Sequence, residues 1–299
     1  MQILPINYKK WMLFNNKLLN QFFLITSLFA LIVSCNSQKG LIRHINRDNY
    51  DIALADSVLA YALDHEALYS LADTLKPISS VKFLRYTIAK DSTMKDGEAI
   101  VTTKDSLLKK IEEYQKVCKR LSKGDFEFVL LPFQRTDKAI RNLEIYVVRK
   151  SKLESLLKTY SSFFGQWGFT PSTKPAIILT AIEFETRLDR NRAYGYLFGY
   201  PSYAVDFFVQ STRTQEADTA KKLVPRDFFA IPVFASEKGH FTYAMPKGHQ
   251  PTAIDSVLYN NAMLTLKRYK TLREKYSSPQ GLKAMKLWMR LNTNKKIEP

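Results

Sequence analysis

The residues best equipped for chemistry lie in one stretch, Arg187-Leu-Asp-Arg-Asn-Arg-Ala-Tyr-Gly-Tyr-Leu-Phe-Gly-Tyr-Pro-Ser-Tyr-Ala-Val-Asp-Phe-Phe208. It carries two glycines, a proline and seven aromatic residues. A guanidinium is a planar fork of donors suited to carboxylate or phosphate, and a tyrosine offers a stacking face with one hydroxyl. Arg187, Arg190, Tyr194, Tyr200 and Asp206 therefore form a candidate binding corner for an anionic or sugar-like ligand. On a helix, Glu183, Arg187, Arg190, Tyr194 and Leu197 share a stripe, with Glu183 and Arg187 at i,i+4 ion-pair spacing. The same composition also fits a tight structural corner, because aromatics dominate ordinary cores. A second distinctive segment, Thr74-Leu-Lys-Pro-Ile-Ser-Ser80, brings no chemistry of its own.

Catalytic and metal-binding patterns are missing. The chain has no G-x-S-x-G, H-E-x-x-H, Walker loop, G-x-G-x-x-G or C-x-x-C. Asp64-His65-Glu66 places three ligand-type side chains in a row, but helix neighbours point about 100° apart and cannot converge on one ion. No metal and no cofactor is expected. Catalytic residues stay unassigned: a hydrolase would have to draw on Glu183 or Glu185 with Asp206, His240 or His249, and no spacing demands those pairings. Cys118 follows Leu107, Ile111 and Tyr114 and precedes Leu121, on the apolar face of a helix, where cysteine acts as a small hydrophobe.

The elements that would position the corner follow from periodicity. Residues 48–76 read as helix broken near Asp64 and stopped by Pro77. Val81–Ile88 is strand-like. Thr102-x-x-Asp105 and Ser151-x-x-Glu154 have capping-box spacing before helices, and Thr252-x-x-Asp255 opens another helix to about Tyr276. Phe126–Phe133 with Leu143–Arg149 reads as a strand pair, and Phe228–Phe234 with His240–Ala244 as a hairpin turning at Ser-Glu-Lys-Gly239. Pro175 to Tyr200 reads as one long helix, and Ser278-Pro279 starts a last one. These elements predict an α+β class: a predominantly helical single domain over 48–299, with two short strand pairs packed against helices.

Composition sets the outer bounds. Hydrophobic residues make up 45% of the 299, enough for a packed core, which excludes a disordered chain. Net charge is +17, and ten Lys/Arg against one acid, Glu274, fall between Lys267 and Lys296. Three lysines and no acid precede Cys35, and Phe22–Val33 is uncharged. That run is shorter than the roughly 20 apolar residues of a membrane-spanning helix, so it reads as a secretory signal peptide, with Met12 as an alternative start to Met1.

Leu31-Ile-Val-Ser-Cys35 resembles the lipobox of bacterial lipoproteins, in a Bacteroidetes-like form. The resemblance implies cleavage before Cys35, a lipid on its thiol, a tether over 35–47, and an address at the outer membrane facing the periplasm. It leaves Cys118 without a disulfide partner. Outside the cytoplasm nucleic acid is not an expected partner. The basic C-terminal helices would instead suit anionic lipid or lipopolysaccharide phosphates. The expected role is non-catalytic binding of a ligand or partner at the envelope, with an envelope hydrolase acting on glycan, peptidoglycan or phosphoester bonds as the alternative. Cys35→Ser is expected to abolish incorporation of a clickable palmitate analogue; labelling that survives the change excludes lipidation at Cys35.

Overall fold

The computed structural model describes residues 50–90, 99–101, 104–137 and 139–293. The segment expected to be a signal peptide, Cys35, the expected tether and Thr102 of the first capping pattern lie outside the described residues, as does the side chain of His240. Contacts divide the chain into two units, Met1–Ile52 and Ala53–Pro299; only residues 50–52 of the first are described.

The run Leu143–Val148, apolar on both faces apart from Glu144, explains the architecture of the second unit. Strand β4 (Ile140–Arg149) sits inside an antiparallel sheet of order β2-β1-β4-β3, with β1 Ile78–Lys90, β2 Ala99–Val101 and β3 Phe126–Asp137. The strand pair read from sequence is thus joined by the strand read at Val81–Ile88, which is β1, and by one further strand, β2. Because strand side chains alternate, Ile145 and Val147 enter one core while Tyr146 and Val148 enter the other. Both faces of this stretch are covered, so the sequence shows no polar alternation there.

The first core takes residues from helices α1 (50–64), α2 (Leu68–Leu71) and α3 (Lys104–Leu121). It is completed by the last two helices, α9 (Ala253–Tyr276) and α10 (Ala284–Thr293). The second is built from α4 (Lys150–Thr159), α5 (Ser161–Phe164), α6 (Pro175–Glu183), α7 (Arg187–Leu197) and α8 (Ser202–Ala217). A separate hairpin, β5 (Arg226–Val233) with β6 (Ser236–Pro246), contributes Ile231, Val233 and Phe241 to the first core. The fold is α+β and mostly helical. Cys118 is buried on α3 as the spacing requires, and burial pushes its thiol up to about 12, away from reactivity.

Four local readings are corrected. Pro175–Tyr200 is two helices: the chain breaks after Glu183, and Arg190 Nη1 donates to the freed Glu183 carbonyl at 3.1 Å. Thr186 is the N-cap residue just before α7, its hydroxyl donating to Asp189 at 3.2 Å. Helix α4 is capped by Asp125 from outside, which accepts from the Ser151 amide at 2.8 Å and the Ser151 hydroxyl at 2.6 Å, and the Ser151–Glu154 box does not form. The hairpin turns at Phe234-Ala235, while the Gly239 segment becomes an irregularity in β6. Ser277–Leu282 is a small hairpin, β7–β8, and α10 starts only at Ala284, where Asp56 of α1 accepts from the Ala284 and Met285 amides at 3.2 and 2.8 Å. The Thr252–Asp255 box forms as read.

Candidate functional site

The corner between α7 and α8 is made by its glycines. The Tyr200 amide donates to the Gly195 carbonyl and the Gly199 amide to the Tyr196 carbonyl, a double closure of the helix end that needs a left-handed residue. Gly199 supplies it at φ +76°, and a Cβ there would stand 2.7 Å from the Leu75 carbonyl oxygen. Gly195 in turn lets Val205 of α8 approach, where a Cβ would meet a Val205 methyl at 2.8 Å.

Leu75 belongs to the other distinctive segment of the sequence, so Thr74–Ser80 and the Gly-Tyr-Pro corner are two sides of one contact. Between them lies Lys76, fully buried. Its ammonium pairs with Glu66 and stands 4.4 Å from the Phe241 ring centre and 5.1 Å from that of Phe198. Burial lowers its pKa, while the nearby charges of Glu66 and Glu144 pull it back up. Glu66 also accepts from the Ser80 amide at 3.1 Å, next to the register shift that interrupts β1 between Ser80 and Lys82.

On the far side of the corner is a cavity of about 270 Å3. Its aromatic walls are Tyr194, Phe198 and Tyr200 of the corner, Phe208 of α8, and Phe228 and Tyr243 of the hairpin. Asn191 and Thr242 add the amide and hydroxyl. The hairpin wall is anchored by Asp255, fully buried at the start of α9, which accepts hydrogen bonds from the hydroxyls of Tyr243 and Tyr203 and from the Thr252 amide. Burial alone would raise the Asp255 carboxyl, but these hydrogen bonds outweigh it and hold the value below normal.

The residues nominated from sequence divide accordingly. Tyr194 and Tyr200 line the cavity; Arg187, Arg190 and Asp206 do not. Arg187 forms no i,i+4 pair with Glu183 and instead meets Glu216 of α8 at 3.1 Å. Arg190 donates to Gln134 Oε1 at 2.6 Å, and Asp206 pairs with Arg192. Asn191, Phe208, Phe228, Thr242 and Tyr243 were not nominated. Asn191 and Phe208 fall inside the aromatic stretch itself, whereas no local signal ties the hairpin residues to it.

The hydrolase candidates also scatter. Glu183 accepts from the Tyr194 hydroxyl at 2.8 Å and from the Gln134 amide at 3.0 Å. Glu185 receives the Thr186 amide, and the His249 ring lies 5.1 Å from that of Tyr203. Asp64, His65 and Glu66 turn to Arg273, to the Tyr61 carbonyl and to Lys76 respectively. Among the described residues no cluster of His, Cys, Asp and Glu could hold a metal ion.

One carboxyl was missed altogether. Glu144, 1% exposed on β4, has an Oε1 with no hydrogen-bond partner. Burial above all, with the charges of Glu66 and Glu183, pushes it from the ordinary 4.5 up to about 7, against a downward pull from the Tyr146 and Ser80 hydroxyls. The chain matches no protein-family model, no curated protein and no solved structure.

Two stability predictions follow from these buried charges. Lys76→Met leaves Glu66 uncompensated and is expected to cost about 3–5 kcal/mol, most of it recovered in Lys76→Met/Glu66→Gln, as read by urea unfolding. A double variant no more stable than the single one refutes a charge penalty. Because folded Glu144 holds its proton more tightly than unfolded Glu144, its stabilisation is fully present below about 4.5 and is lost as pH rises through about 7. Glu144→Gln should therefore match the parent near pH 4 and exceed it by roughly 3 kcal/mol at pH 8. A variant less stable than the parent at pH 8 refutes this.

Proposed function

We propose that the protein is a lipid-anchored envelope lipoprotein, held at the outer membrane through Cys35, that binds a small neutral ring of the sugar type without transforming it. The supporting observation is the 270 Å3 cavity at the corner, with six aromatic rings and only Asn191 and Thr242 as non-aromatic polar side chains. Flat apolar faces with a few polar groups suit a sugar ring, whose C–H faces stack while its hydroxyls hydrogen-bond. An anionic ligand has less support. The guanidiniums of Arg187, Arg190 and Arg192 are committed to Glu216, to Gln134 with the Glu183 carbonyl, and to Asp206, and none lines the cavity.

The alternative, an envelope hydrolase of glycan, peptidoglycan or phosphoester bonds, draws on Glu144, whose raised pKa is the kind of perturbation found in general acids. Glu144 does not line the cavity, and the binding reading is therefore preferred.

Saturation-transfer NMR with neutral monosaccharides and N-acetylated amino sugars is the test. Transfer to at least one ring is expected, with affinity falling about tenfold in Asn191→Ala and Thr242→Val, the loss of roughly one ligand hydrogen bond each. No transfer, or transfer unchanged in both variants, refutes the site. Product accumulation that depends on Glu144 supports the hydrolase.

A further inference from the structure

Helix α9 leaves an apolar stripe in water. Ile254, Val257 and Leu264 are 61%, 60% and 68% exposed, and their spacing of three and seven residues puts them on one side of the helix. The opposite side is closed: Ala262, Leu266 and Tyr269 are buried in the first core. Three scattered aliphatics would need no explanation, but these three share one helix side, broken by the exposed Asn260 and Asn261 between Val257 and Leu264.

The patch continues into positive charge. Lys275 lies eleven residues beyond Leu264, close to three full turns, and so falls on the same line; Lys267 flanks it, and both are exposed. At the other end Ile254 and Val257 border a groove of about 560 Å3 that Lys152 of α4 also lines. Glu274 is the one acid on α9 after Asp255. Aliphatic side chains bracketed by lysines on a surface helix are the pattern of a segment lying in the headgroup region of an anionic bilayer, where burial of the aliphatics and attraction of the lysines add. Among the described residues no helix is long and apolar enough to cross a membrane, so the contact would be a surface one.

The geometry points to the Ile254–Lys275 face of α9 as a docking surface for an anionic phospholipid membrane. The apolar residues enter the interface, and Lys267, Lys275 and Lys152 meet lipid phosphates. This contact is separate from the lipid expected on Cys35 and from ligand binding in the corner cavity, so it stands if either of those readings fails.

The experiment uses the full chain with Cys35→Ser, which removes the lipid-bearing thiol and leaves Phe22–Val33 common to every variant, and one added thiol carrying an environment-sensitive fluorophore at Val257→Cys or Leu264→Cys. Leu223→Cys, at an exposed loop position, is the control. With vesicles of phosphatidylglycerol and phosphatidylethanolamine, emission at 257 and 264 should shift to the blue, rise at least twofold and be quenched by doxyl-labelled lipid, while 223 stays unchanged. Pure phosphatidylcholine vesicles, or Lys267→Glu/Lys275→Glu, should remove the response, with circular dichroism verifying the fold. No vesicle-dependent change at 257 and 264, or the same change at 223, overturns the proposal. So does a change that appears without vesicles and grows with protein concentration, which would assign the face to a second copy of the chain.

Discussion

A lysine ammonium withdrawn from solvent organises the middle of this molecule. An ion moved from water into protein loses several kcal/mol of hydration, and the loss is tolerable only where a counter-charge and polarisable neighbours replace the water. Lys76 has Glu66 as its counter-ion and the rings of Phe198 and Phe241 within cation–π distance. Those partners come from the turn after α1, from the corner just past α7 and from β6, so satisfying one charge forces three remote segments together. Replacing the pair by apolar residues could be neutral in energy, yet it would remove the reason for that particular convergence. The ion pair therefore acts on which arrangement forms more than on how stable it is.

The cavity is a by-product of that convergence. Gly199 brings the corner onto the Leu75 carbonyl, and Tyr200 follows immediately, its ring 6.0 Å from Phe241 and 5.5 Å from Tyr243. Aromatic rings are rigid and cannot collapse into the gap as flexible aliphatics would, so a pocket lined by them keeps its shape. Asp255 fixes the opposite wall by holding Tyr243 through its hydroxyl while also capping α9. One carboxylate thus ties a helix start, a hairpin and a cavity wall together.

Much of the fold was legible because it rests on local rules. The break near Asp64, the Thr252–Asp255 box and the burial of Cys118 each depend on residues within a turn or two of each other, and both strand pairs join segments that are neighbours along the chain. What escaped was set by distant partners. Asp125 and Asp56 cap helices that begin 25 and 228 residues later, and no window of sequence links a carboxylate to an amide so far away. The α6–α7 break escaped because Glu183 is drawn to the Gln134 amide and Tyr194, while a stripe drawn on one straight helix assigned it to Arg187. Of the candidate site, the aromatic stretch was visible as composition. Its partner wall was not, since Thr242 and Tyr243 read as ordinary strand residues.

The carboxylate of Asp56 on the amide end of α10 has a consequence for when this chain can fold. The first core joins α1 and α2 to α9 and α10 across more than 200 residues, and contacts of such separation close late because the intervening loop entropy must be overcome first. A nascent polypeptide emerging from the ribosome can form the β3–β4 hairpin and the helices after it, but its larger core waits for the final segment. Until then α1 presents an uncovered apolar face that a holdase can grip. The delay in closing the larger core is written into the topology.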